Sequence, residues 1–145
     1  TVSQESSPRL RRLFLAHEGY HGIFFTDPEY RDVSLAAWNE LSQLEQSFWK
    51  EFLALRDYNV YDEFLVVNEF QAYLMQVSHE VLEAYYWDYS LPALVEALPR
   101  TAVIVDQLRT SHPDTFHRSA LVIEAYLKET YGFRASDLFC IELLE

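Results

Sequence analysis

Apolar residues recur every three or four positions along most of the chain, the signature of amphipathic helices. From about Pro8 to Phe25, Leu10, Phe14, His17, His21 and Phe24 fall on one face, and Ser7-Pro8 supplies an N-cap followed by proline at the first helical position. Asp27-Pro28 repeats that signal. From Ser34 to about Arg56 the periodic set is Leu35, Trp38, Leu41, Phe48, Phe52 and Leu55, and Asp57-Tyr58-Asn59 reads as a turn. Further helices are expected over 61–76 and 78–89. Another opens at Leu91-Pro92 and runs to about Arg109, with a break or kink at Pro99. After the His112-Pro113-Asp114 loop, a helix runs to Tyr131 with Gly132 as its C-terminal cap. A short helix over 136–144 closes the chain, and residues 1–7 read as a polar, frayed start. Val103-Ile104-Val105 is the one β-branched run and is too short to imply a sheet. The expectation is an all-α, compact bundle of about six to seven helices in one domain spanning 1–145.

Composition supports a packed domain. Half of the 145 residues are hydrophobic and 16% are aromatic, so there is material for a real core. Three Gly and five Pro are few for a turn-rich β protein. No apolar run is long enough for a membrane segment. The single cysteine, Cys140, excludes an internal disulfide and a cysteine-rich zinc site. A net charge of −12 argues against a nucleic-acid or anionic-membrane partner and fits a solvated acidic surface.

Against this background one stretch carries chemistry. His17-Glu18-Gly19-Tyr20-His21 reads H-E-x-x-H and lies in the first expected helix. Four residues bring two side chains one above the other on a helix, so both imidazoles can reach one metal ion. Glu18 projects about 100° away from His17, beside the metal rather than onto it. There it can take a proton from a water that the metal activates. Gly19 and Gly22 leave a bare side next to Glu18, read either as room for substrate or as tight helix packing.

A catalytic zinc needs a third protein ligand. Glu69 is the only charged residue of the apolar stretch 64–78, and a buried lone carboxylate is costly unless something pairs with it. A metal would do so; the alternatives are an arginine such as Arg11, Arg12 or Arg56, or protonation in place. Asp27, at the position of a third histidine in longer versions of the motif, is better explained as a helix cap.

His17-Glu18-x-x-His21 with a downstream helix bearing Asn68-Glu69-x-x-Ala72 resembles the gluzincin zinc metallopeptidases over roughly residues 8–78. The resemblance implies Zn2+ held by His17, His21 and Glu69, with Glu18 as general base and a peptide or protein as substrate. The 47 residues between His21 and Glu69 are more than is usual in thermolysin-like members, and an added helix at about 34–56 fills them. Tyr73 stands where those enzymes carry an aspartate that orients a zinc-bound histidine, so another group must do that here. Tyr73, His79, Tyr85 and Tyr86 form the pool for a transition-state donor, with Tyr73 named first. The resemblance further implies a β-sheet upstream of the motif helix. This chain would then be the C-terminal, helical part of a larger metallopeptidase whose N-terminal region is absent here, binding zinc but cleaving peptides poorly on its own.

Two other readings stand beside it. Glu18-x-x-His21 is also the E-x-x-H element of di-iron bundles, for which Asp114-x-x-His117 is the nearest second copy. An all-helical binding or scaffold domain without metal is the third, supported by the aromatic run Tyr85-Tyr86-Trp87. His79-Glu80-x-x-Glu83 reads as a solvated helix face, and Arg9, Arg11 and Arg12 as a small basic cluster.

Overall fold

A computed structural model describes residues 7–139. Cys140, most of the helix expected over 136–144, and the residues before Ser7 lie outside it. The described chain is all-α, with seven helices of seven or more residues: α1 (Pro8–Thr26), α2 (Pro28–Asn39), α3 (Gln43–Ala54), α4 (Glu63–Met75), α6 (Leu91–Ala97), α7 (Ala102–Ser111) and α8 (Thr115–Tyr131). A three-residue segment, α5 (Leu82–Ala84), sits between a 3-10 turn at His79–Val81 and a π-helical turn at Tyr85–Ser90. No helix among the described residues is long and apolar enough to cross a membrane.

Local chemistry sets most boundaries. The Ser7 hydroxyl accepts from the Leu10 N–H, and Pro8 occupies the first turn of α1. At the other end Asp27 caps α2, accepting from the Glu29 and Tyr30 N–H groups. Arg31 donates to the carbonyls of Phe24 and Phe25, satisfying the end of α1. Gly132 takes the left-handed conformation at φ 75° that ends α8.

Two expectations need correction. The single helix expected over 34–56 is two helices, broken at Glu40–Ser42. Ser42 and Glu45 form a reciprocal capping box, with the Ser42 hydroxyl accepting from the Glu45 N–H and Glu45 from the Ser42 N–H. The helices expected over 78–89 and from Leu91 onward form one continuous helical run from His79 to Ala97. Pro92 has no N–H to give, and the Leu91 N–H reaches back five residues to the Tyr86 carbonyl, widening the turn instead of breaking it.

The core lies around α4, nine of whose thirteen residues are buried. It packs against α1, α2, α3 and α8. Phe70 on α4 meets Trp38 of α2 and Trp49 of α3 edge-on, and Tyr86 stacks on Phe116 at 4.0 Å between centroids. Tyr86 is therefore core, and Tyr85 and Trp87 are half-buried, so the aromatic run is not an exposed surface. On α1 the buried stripe is Ala16, His17, Tyr20 and Phe24, while Leu10 and Phe14 of the expected face are exposed. The two α1 glycines separate. A Cβ built on Gly19 would stand 3.0 Å from Leu138, so this glycine admits the terminal 3-10 turn at Asp137–Phe139; a Cβ on Gly22 meets nothing.

Candidate metal centre

Helix α1 crosses α4 so that His17, His21 and Glu69 converge. The His17 and His21 Nε2 atoms are 3.1 Å apart. Glu69 places Oε2 at 3.3 Å from His17 Nε2 and Oε1 at 3.4 Å from His21 Nε2. Tetrahedral zinc with bonds of about 2.0–2.1 Å requires ligand atoms about 3.3 Å apart. The His17–His21 edge is close to that spacing, each histidine reaches it with a different oxygen of Glu69, and one ligand atom from each of the three residues lies within 4.8 Å of the others. Among the described residues this is the one group of three such side chains that could hold a metal ion.

The hydrogen bonds around the triangle govern its protonation. Gln71 points its amide nitrogen at the carbonyl of Asn68, 2.8 Å away, which can only accept. Its Oε1 accepts from the buried Tyr30 hydroxyl at 2.6 Å. The same nitrogen lies 3.3 Å from Asn68 Oδ1, which must therefore be the oxygen end of that amide. Asn68 Oδ1 is 2.8 Å from His21 Nδ1, so His21 carries its proton on Nδ1 and turns the Nε2 lone pair toward Glu69. His17 Nδ1 lies 3.0 Å from Gln76 Oε1, an oxygen placed to accept a proton held on Nδ1. With both rings neutral and both protons on Nδ1, two lone pairs and a carboxylate face one another, and the buried Glu69 Oε2 has no hydrogen-bond partner. A cation satisfies all of these groups together.

Asn68 and Gln76, rather than an aspartate, are the side chains that meet the Nδ1 atoms of the two histidines. Gln76 and Gln71 carry no motif; their signal is polarity inside an apolar helix. Tyr73 packs its ring edge-on against His17 with centroids 4.6 Å apart. Burial pushes its phenol up, partly opposed by Arg56 and by hydrogen bonding with Tyr58. Tyr58, from the turn after α3, also interacts with Glu69; burial and the charges of Tyr73 and Glu69 hold its phenol well above the usual range. Its place beside Glu69 was not readable from a turn sequence. Tyr86 is fully buried, donating to the Tyr73 carbonyl, and is far from a solvent-facing donor role.

Glu18 is exposed on α1, one residue from the buried His17. His21 is half-buried, so the triangle lies at the rim of the core rather than inside it. The arginine alternatives for Glu69 are not realised through Arg56, which lies over the Phe52 ring and donates to the Phe52 carbonyl. Asp27 keeps its capping role and accepts from the Tyr126 and Tyr131 hydroxyls.

A second histidine pair sits apart from this centre. His79 and His117 bring their Nε2 atoms to 2.9 Å, with Glu124 at 3.6 Å from His79 Nδ1. Glu83 accepts from the His117 N–H at 2.7 Å. The segment expected as a solvated face is thus a packed polar contact with α8. Asp114-x-x-His117 does not reach the first centre. No family model matches the chain, and neither a curated protein nor a solved structure matches it.

Proposed function

We propose that this chain carries the catalytic centre of a zinc-dependent peptide hydrolase, with His17, His21 and Glu69 as ligands and Glu18 as general base. The observation that carries the reading is the convergence of two Nε2 atoms and a buried carboxylate at 3.1–3.4 Å, beside an exposed glutamate. The chemistry zinc supplies when bound is Lewis acidity, which acidifies a water toward a pKa of about 7 and polarises a carbonyl.

The chain's own residues do the rest. His17 and His21, held by Gln76 and Asn68, present lone pairs and cannot rotate away. Glu69 supplies the negative charge that offsets the ion. Glu18 takes a proton from the attacking water and delivers it to the leaving amine. Tyr73, against His17, is the candidate to donate to the oxyanion that forms at the peptide carbonyl.

The test is elemental analysis and peptide hydrolysis on three proteins. Wild type should hold about one zinc per chain. Glu69→Ala should lose it. Glu18→Gln should retain it and lose hydrolysis by a factor of about 10²–10⁴. A wild type that takes up no zinc sinks the reading, as does a Glu18→Gln protein with wild-type turnover.

A further inference from the structure

Two cavities lie one residue removed from the proposed metal centre. The larger, of about 1040 Å³, lies between the first turns of α1 and the run from Ser78 to Tyr89, with Arg9, Arg12, Leu13 and Gln76 among its lining residues. The smaller, of about 490 Å³, shares Tyr85 and Tyr89 with it and extends to Arg56 on one side and to α6 on the other. They form one groove. None of His17, Glu18, His21 and Glu69 lines either cavity, and the groove's tie to the centre runs through two residues. Gln76 lines the groove and holds His17 Nδ1. The Arg56 guanidinium lies 5.5 Å from the centroid of the Tyr73 ring, which packs on His17.

The charge of the groove is opposite to that of the protein. The chain has 23 acidic residues against 11 lysines and arginines. Yet no aspartate or glutamate is among the described residues lining either cavity, while three arginines are. The remaining walls are apolar and aromatic, with Tyr85 between Arg9 and Arg56. An anionic chain is repelled by most of this surface and accepted here.

We propose that this groove binds an extended acidic peptide segment, apolar side chains on its walls and carboxylates toward Arg9 and Arg56, and so selects acidic substrates for the metal centre. The selection of substrates rests on the hydrolytic reading above; the binding does not.

The experiment uses the zinc-loaded full chain with Glu18→Gln, so that bound peptide is not turned over. Two fluorescein-labelled decapeptides alternate leucine with either glutamate or glutamine, and binding is followed by anisotropy. The glutamate peptide should bind roughly tenfold tighter at low salt, the difference shrinking as salt is raised. Arg9→Gln and Arg56→Gln should each remove a several-fold part of that preference while zinc content stays unchanged. Arg56 packs on Phe52, so exposed Arg9 is the variant that decides if Arg56→Gln fails to fold. Equal affinity for the two peptides, or a preference untouched in Arg9→Gln, overturns the assignment. So does laurate displacing the peptide while binding tighter, which would make the occupant a fatty acid. The two readings fail separately. Arginine-dependent binding in a wild type that takes up no zinc leaves the groove standing and removes the hydrolase. Hydrolysis of both peptides with equal affinity does the reverse.

Discussion

Gln76 is the residue through which the proposed metal centre can be perturbed without touching a proposed ligand. It is buried, and its Oε1 is 3.0 Å from His17 Nδ1. Gln76→Leu keeps the side chain's bulk and removes the acceptor. Two losses follow. The His17 Nδ1–H becomes a buried donor without a partner, and the proton can move to Nε2, where it occupies the lone pair that a metal needs. Removing such an orienting partner lowers metal affinity by about 10–100-fold, which is about 1.4–2.7 kcal/mol. Gln76→Glu restores an acceptor and adds charge, so it should bind zinc at least as well as wild type. The assay is competition against a chromophoric chelator, with circular dichroism to confirm that each variant is folded. Leucine and glutamate variants with affinities within twofold of wild type would refute the claim that this hydrogen bond sets the tautomer of His17.

Two further predictions concern the fold. Gly22→Ala should stabilise by about 0.5–1 kcal/mol, since a helix gains from alanine and the new methyl meets nothing. Gly19→Ala should destabilise by about 1 kcal/mol net, because its methyl would press on Leu138 at 3.0 Å; urea denaturation showing the same sign for both would contradict this packing. Burial alone would push the Glu45 carboxyl up, but hydrogen bonds from Thr115 and Ser42 and the Arg118 charge outweigh it and hold it below the ordinary 4.5. A carboxylate lowered on folding adds stability above pH 4.5 that disappears as pH falls through its folded-state value. Glu45→Gln should therefore flatten the acid limb of the stability–pH curve, and an unchanged limb would show that Glu45 does not contribute to it.

The sequence by itself determined the pairing of His17 with His21, because any α-helix places residues four apart on one face. It determined the caps at Ser7, Asp27 and Gly132 for the same kind of reason: each is satisfied by atoms within four residues. The break at Ser42 was equally local, in a Ser-x-x-Glu box, yet the apolar periodicity running through it masked the signal. The burial of Glu69 was legible because it is the lone charge in an apolar helix.

What faces Glu69 was not legible. Only the crossing of α1 and α4 brings its carboxylate between the two histidines, and only that crossing assigns Asn68 and Gln76 as their partners. The roles of Gly19 and Gly22 were likewise undecided until the terminal 3-10 turn packed against one and not the other. Tyr58, the His79–His117 contact and the acid-free groove belong to the same class. Each depends on residues far apart in the chain, whose approach is set by which faces of whole helices bury together, and no local spacing encodes that distance.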